Sequence, residues 1–419
     1  MRYRFTSYLL LSLLSISVPY SASAAEIPSV SPESVGMSAT KLAEINKVMD
    51  KLVADKRLAG GIVLIAKDGK IVHRSTHGLM DIEANKPMTK DAILRFYSMS
   101  KAITTTAAMI LYDEGKLELD APISKYLPEM KQVKVYSKDG MKTPKREITV
   151  RDLMRHTSGL NYGSSGNPAV DQPYKKADVL NRDTDLAAMT TKLSQLPLVY
   201  EPGQDWMYSV SVDVLGRVVE VISQQPLDQF FQERIFIPLD MNDTGFYVPK
   251  GKANRFAANY NSNSKGKLTL KDDPTESRYL KNPKLFSGGG GLVSTARDYM
   301  RFLMMISEGG QLQGTRVLSK KSVKMMTRDQ LPKSVPDIKF GENVRTGVGF
   351  GLGFSIRTEM SDWDPQGRVG EYGWGGAAST HYWASPKDDL IVIVLEQTMP
   401  YSFMTEFALK GIIYDAIED

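Results

Sequence analysis

A serine followed three positions later by a lysine is placed for acyl-transfer chemistry. One turn of helix sets the amine beside the hydroxyl, and a neutral amine there takes its proton as the oxygen attacks a carbonyl. The spacing occurs four times, at Ser38/Lys41, Ser98/Lys101, Ser262/Lys265 and Ser264/Lys267. Context separates them. Ser38 opens a surface helix, and the last two pairs lie in the polar stretch Asn259 to Lys267. Only Ser98 stands between an extended apolar segment, Ile93 to Tyr97, and an apolar helix pattern carried by Ala102, Ile103, Ala107, Met109 and Ile110 and ended by Gly115. Ser98 is therefore the candidate nucleophile and Lys101 its candidate base; the bland alternative is a capping serine beside a solvated lysine.

Other candidate chemistry gathers behind this pair. Glu201-Pro202-Gly203 leads through a turn to Tyr208-Ser209-Val210 and a helix, which lets Tyr208 face a cleft rather than the core. Gly373-Trp374-Gly375-Gly376-Ala377 opens a strand whose glycines allow a ligand close to the backbone amides. Arg151 to Leu160 contains His156-Thr157-Ser158-Gly159, read as a turn lock. The four histidines, His73, His77, His156 and His381, have no metal-ligand spacing, and His73 and His77 read as structural. There is no G-x-S-x-G elbow, no H-E-x-x-H and no P-loop. Ser287 to Gly291 lacks the Lys-Ser/Thr of a phosphate loop and reads as a tight lead-in to a helix with a Thr295/Asp298 capping box. No metal or cofactor is expected.

The elements that must position these residues fall into two patterns. At both ends of the chain there are strands: Gly61 to Lys67, then Asp68-Gly69 as a type I′ turn, then Lys70 to Arg74; and later Gly349 to Ile356, Thr380 to Ser385 and the apolar Leu390 to Glu396, which must be central. Helices after Ser38 and over Phe403 to Ile417 flank them. Between Lys101 and about Asp298 helical patterns dominate, with Pro-, Gly- and Asn-rich loops. The polar segment Asn161 to Lys176 is expected to form a mobile wall. The fold class is α+β: an antiparallel sheet flanked by terminal helices plus an inserted helical domain, with the site in the cleft between. The expected domains are 25–97 with 290–419 for the sheet and 98–289 for the helices.

Residues 1–24 read as a signal peptide: Arg2 and Arg4, an apolar run from Tyr8 to Val18, and Ala22-Ser23-Ala24 as a cleavage site. The run is too short for a bilayer span of about 20 residues. The mature protein is thus expected to be periplasmic or secreted, without stable membrane insertion. The formal net charge of +5 falls by two on cleavage, too weak and dispersed for a nucleic-acid partner. The absence of cysteine removes thiolate metal sites and cysteine nucleophiles. No feature specifies an oligomeric state.

Taken together and in this order, Ser98-x-x-Lys101, Leu153-x-x-His156-Thr-Ser-Gly-Leu160, Pro202-Gly203-x-x-x-x-Tyr208-Ser209 and Trp374-Gly375-Gly376 resemble the serine β-lactamase-like hydrolases. Within them the chain is similar to the class C β-lactamase-related group and its family VIII carboxylesterases, from about Val35 to the C-terminus. The resemblance implies a β-lactamase/transpeptidase-like fold, with Ser98 acylated and Lys101 as base. It implies that Tyr208 handles the leaving-group proton and later activates water, and that the N–H groups of Ser98 and Ala377 form the oxyanion hole. Trp374, Gly375 and Gly376 line the substrate site where relatives carry Lys-Thr/Ser-Gly. Two departures bear on specificity. Val210 replaces the Asn of a Tyr-x-Asn motif, and Trp374 replaces a carboxylate-binding lysine, which favours neutral acyl groups. Arg345-Thr346-Gly347 looks like Lys-Thr-Gly but lies about thirty residues too early, and reads as a decoy. The expected substrate is a small ester or amide: first a short-chain carboxylic ester, alternatively a β-lactam or D-alanyl peptide. A non-catalytic binding module is disfavoured by the joint presence of Ser98, Lys101 and Tyr208.

Overall fold

The seven residues Leu390–Glu396 are all buried, because this strand lies inside a sheet covered on both faces. The computed structural model describes residues 25–263, 266–335 and 337–418; residues 1–24, and Ser264 and Lys265 of the two polar Ser-x-x-Lys pairs, lie outside them. In chain order the strands of the main sheet are β1 (Gly60–Lys67), β2 (Lys70–Asp81), β3 (Lys86–Pro87), β4 (Val348–Phe350), β5 (Ser355–Arg357), β6 (Tyr372–Gly376), β7 (Thr380–Ser385) and β8 (Leu390–Glu396). They assemble antiparallel in the order β4-β5-β6-β7-β8-β1-β2-β3, so the two ends of the sequence meet where Gly61 pairs with Glu396 and Lys67 with Leu390.

Side-chain alternation then divides the core. Val63, Ile65, Val392 and Val394 point to one face and pack with Ile45, Met49, Leu409 and Ile413 of the terminal helices. Ile62, Leu64, Ile391 and Ile393 point to the other face, toward the helices of the middle of the chain. The helices that matter for the site are α1 (Glu44–Ala54), α2 (Ser100–Asp113), α3 (Val150–Met154), α4 (Pro168–Ala177), α5 (Ser211–Ser223), α6 (Ala296–Ser307) and α7 (Met404–Asp415). Among the described residues no helix is long and apolar enough to cross a membrane. Asp68 and Gly69, at φ 51° and 69°, make the expected primed turn between β1 and β2.

Four local expectations change. Gly349 to Ile356 is not one strand but the hairpin β4–β5: the chain reverses where Gly351 N donates to Phe354 O at 2.8 Å and Gly353 sits at φ 87°, and the close approach of Met326 O and Thr105 Oγ1 leaves no room for a Cβ at either glycine. Asn259–Ser262 is a strand rather than loop; it pairs with Leu268–Asp272 and, in parallel, with Thr398–Met399. The segment Asn161 to Lys176 is not loop throughout but contains α4, before which the buried Asp171 carboxylate accepts from Ser165 N at 2.8 Å, Gly166 N at 2.9 Å and Asn161 Nδ2 at 2.5 Å. Thr295 caps α6 by accepting from Asp298 N, but Asp298 does not complete the box. Its carboxylate reaches instead to Asp243 N at 2.7 Å and the Thr244 hydroxyl at 2.9 Å.

Candidate active site

Tyr97 introduces the candidate nucleophile, Ser98, with backbone strain. It sits at φ 43°, a left-handed conformation that costs a non-glycine residue about 1 kcal/mol or more. The surroundings enforce it. Phe96 N donates to Leu292 O at 3.0 Å on one side, and Tyr299 Oη donates to Met99 O at 2.9 Å on the other. The result is a sharp single turn, Tyr97–Met99, that lifts Ser98 to the cleft and feeds α2. Lys101 follows one turn later and is 1% exposed. Its Nζ donates to Ser98 Oγ at 3.2 Å, Tyr162 Oη at 3.3 Å and Gly289 O at 2.6 Å, which engages all three hydrogens of an ammonium. Deprotonated, the same nitrogen can turn a lone pair on the Ser98 hydroxyl.

Tyr208 closes the site above the lysine, whose Nζ lies 4.5 Å from the centre of its ring. Its hydroxyl accepts from Trp374 Nε1 at 3.3 Å. The loop carrying it is held by the histidine segment, since Met207 N donates to His156 O at 2.9 Å and Gly203 N to Thr157 O at 2.7 Å. The His156 ring is 4.9 Å from that of Tyr208 and contacts Ser209 Oγ at 3.3 Å through Nδ1. Burial, reinforced by the charge on Lys101, pushes its pKa well below the ordinary histidine value. A neutral, packed His156 is the turn lock read from the sequence. His73 and His77 likewise serve the sheet: burial takes His73 down to about 4, and His77 contacts Asp50 at 2.7 Å.

The oxyanion-hole candidates meet because β6 crosses the turn before Ser98. A Cβ on Gly376 would sit 2.4 Å from Phe96 O, and one on Gly375 2.5 Å from the Tyr401 ring, so only glycine permits this approach. Ala377, just beyond β6, then shares the cleft with Ser98. Neither the Ser98 nor the Ala377 backbone N–H donates to a protein acceptor among the described residues, which leaves both for a substrate oxygen. The cleft, about 960 Å³, is walled by Trp374, Phe340, Val344, Trp363 and Phe403. Val210 is fully buried and offers nothing to it. Among the described residues no group of three His, Asp or Glu side chains is arranged to hold a metal ion.

Three site residues escaped the sequence reading. Tyr162 accepts from Lys101; burial, with Asp213 and Tyr208 nearby, drives its hydroxyl pKa well up and keeps it neutral. Asp213, on α5, is fully buried beneath the lysine; burial raises its pKa, opposed by the Lys101 charge, the Ser287 hydroxyl and the Gly289 N–H at 3.0 Å. Gly289 therefore bridges the two: its carbonyl takes Lys101 while its N–H binds Asp213. The signals were an acid in the first turn of a valine-rich helix and a glycine run with no phosphate-loop partner. Arg345-Thr346-Gly347 precedes β4 and is not the Lys-Thr-Gly strand, as read from the sequence, but its guanidinium does enter the cleft, 5.3 Å from the Trp374 ring centre.

A fold of this topology with a strained Ser-x-x-Lys turn facing a tyrosine is that of the serine β-lactamase-like hydrolases. The beta-lactamase family model matches residues 45–410, and the chain belongs to that family. Protein Rv1367c of Mycobacterium tuberculosis is 37% identical over 353 residues, spanning 82% of this chain and 86% of that one. Esterase EstB of Burkholderia gladioli is 29% identical over 414 residues, spanning 92% and 98%. Among solved structures, "EstCE1, a hydrolase with promiscuous acyltransferase activity" superposes with a TM-score of 0.77 at 25% identity, covering 90% of this chain and 99% of the other. The protein is accordingly a serine hydrolase built on the β-lactamase fold.

Proposed function

We propose that the chain is an exported esterase that cleaves short-chain carboxylic esters with neutral acyl groups through an acyl-enzyme on Ser98. The observation that carries this reading is the Lys101–Ser98 contact at 3.2 Å inside an aromatic cleft where Trp374 takes the place of a lysine. Lys101 accepts the Ser98 proton as Oγ bonds to the ester carbon, and the oxyanion forms against the N–H groups of Ser98 and Ala377. Tyr208 passes a proton to the departing alkoxide. It then draws one from the water that hydrolyses the acyl-enzyme, and Lys101 returns its proton to Ser98 Oγ as the acyl carbon–Oγ bond breaks. Names borne by relatives support ester chemistry: Esterase EstB, and the lovastatin esterase of Penicillium rubens, 28% identical over 357 residues. Export rests on the pattern of residues 1–24, with processing before Ala25.

A second reading, a β-lactamase or D-alanyl peptidase acting on anionic amides, is favoured by one observation, the guanidinium of Arg345 in the cleft. The two separate on p-nitrophenyl butyrate and a chromogenic cephalosporin, assayed with the protein and Ser98→Ala. The ester reading expects butyrate turnover abolished by Ser98→Ala, with slow or no cephalosporin turnover. Fast cephalosporin turnover makes β-lactamase the better description. Ester hydrolysis that survives Ser98→Ala sinks the mechanism.

A further inference from the structure

One wall of the cleft is a short hairpin in the chain before β4. Lys339–Phe340 pairs with Asn343–Val344 across Gly341 and Glu342, with Gly341 at φ 61°. Phe340, Glu342, Asn343 and Val344 line the cleft together with Ser98 and Tyr208. The base of the hairpin is fixed to the sheet, since Ile338 N donates to Val348 O at 3.0 Å and Arg345 N to Ile338 O at 2.9 Å. Its tip is not: Gly341 to Val344 are all exposed. A two-stranded ribbon with a fixed base and few buried contacts at its tip can swing as a unit.

Two contacts hold that tip in, and both go to the segment that carries Tyr208. The Phe340 ring lies 5.4 Å from the rings of Trp206 and Tyr208. Lys339 Nζ donates to Asp205 Oδ2 at 3.0 Å, the side chains being 35% and 30% exposed. The other oxygen of Asp205 accepts from Trp206 N at 2.8 Å. No further hydrogen bond or ion pair among the described residues joins the hairpin to Glu201–Tyr208. Tyr208 depends on this wall, because its hydroxyl is bonded only by Trp374 Nε1 and its ring is placed by packing between His156, Trp374 and Phe340. When the hairpin swings out, the cleft widens and the Tyr208 ring loses one side of its packing together. We propose that the Lys339–Asp205 pair is a latch holding the hairpin closed on Tyr208, so that Lys339 is a positioning residue for the leaving-group proton and also limits the size of ester admitted. The proposal rests on the ester-hydrolase reading above and assigns what bounds its substrates.

The test measures kcat and KM for p-nitrophenyl butyrate and for two bulky esters, p-nitrophenyl diphenylacetate and p-phenylphenyl butyrate, which carry the bulk on the acyl and the alcohol side. Lys339→Met keeps the apolar stem and removes the charge. It should lower kcat on p-nitrophenyl butyrate and raise kcat/KM on at least one bulky ester, moving the bulky-to-small ratio by about two- to fivefold, the reach of a partly exposed ion pair. Effects of opposite sign separate a latch from a structural role, because a misfolded fraction lowers every rate alike and leaves the ratio unchanged. Salt is the second readout. Raising NaCl from about 0.02 M to about 0.5 M screens the pair and should raise the same ratio in the unmodified protein, but not in Lys339→Met. A ratio unmoved by Lys339→Met, or a salt response that persists undiminished in that variant, overturns the assignment. If the unmodified protein turns over none of the three esters, the ester reading fails and this proposal with it, an outcome distinct from an unmoved ratio.

Discussion

Gly289 shows how little of the placement of Lys101, the candidate base, resides in the lysine. A methyl group there would lie 2.3 Å from Asp213 Oδ2, so the peptide that gives its carbonyl to Lys101 must shift away from the carboxylate that accepts its N–H. Gly289→Ala is expected to lower kcat/KM on p-nitrophenyl butyrate by on the order of 10²-fold while the protein remains folded, the usual cost of moving a catalytic group by about an ångström. Unchanged activity in a folded variant would show that this peptide does not position Lys101. The same scale explains what the sequence disclosed. Ser98 and Lys101 are three positions apart on one helix and visible from local spacing. Tyr162 and Gly289 stand 61 and 188 positions from Lys101, and no local pattern announces contacts at such separations. Arg345 was visible as a residue, but its role depends on which cleft its turn overhangs.

At the scale of elements, the short helix α3 fixes the loop that carries Tyr208, and Asp152 fixes α3. Thr149 and Asp152 form a reciprocal capping box, and the buried Asp152 carboxylate also takes Arg146 Nη2 at 3.1 Å, Arg155 Nη2 at 3.0 Å and Thr157 Oγ1 at 2.7 Å. Burial alone would raise its pKa; Arg146, the Thr149 N–H and Thr157 outweigh it and hold the carboxyl at about 2. A folded-state value below the unfolded one stabilises above the ordinary carboxylate range, and the gain disappears as pH falls. The contribution, about 2 kcal/mol, is thus complete at neutral pH and lost between about pH 4 and pH 2. Asp152→Asn should lower the urea midpoint at pH 7 and flatten its acid dependence over that window. Parallel curves for the two proteins would refute the assignment. Elements with a long, uniform pattern, such as β8 and β1–β2, were legible in the sequence. The β4–β5 hairpin and α4 were not, because a glycine-set turn and one buried acid outweigh composition there.

For the whole molecule, closure is the governing fact: β8 from the end of the chain pairs with β1 from its start, and α1 packs beside α7 on the shared face. The alternation of apolar residues at both ends foretold that sheet, but its seam is a tertiary contact that no local pattern encodes. The first described residues extend the closure to α6. Arg301, 1% exposed, donates to Ala25 O at 3.0 Å as well as to Leu239 O, and Arg297 pairs with Glu26 at 2.9 Å. Farther along, Val30 N and Pro28 O bond the backbone of Ile71 in β2 at 3.0 and 2.9 Å. A chain starting at Ala25 keeps all of these contacts. One starting at Ser31 leaves a buried guanidinium short of an acceptor and an edge of β2 unpaired. Hydrogen bonds to a charged group contribute about 1.5–3 kcal/mol, so the shorter chain should unfold at a clearly lower urea concentration. Both chains should retain the same KM for p-nitrophenyl butyrate, because none of the lost contacts involves a cleft-lining residue. Equal midpoints would mean that residues 25–30 rest on the surface without holding it together, and a changed KM would mean that this segment communicates with the cleft.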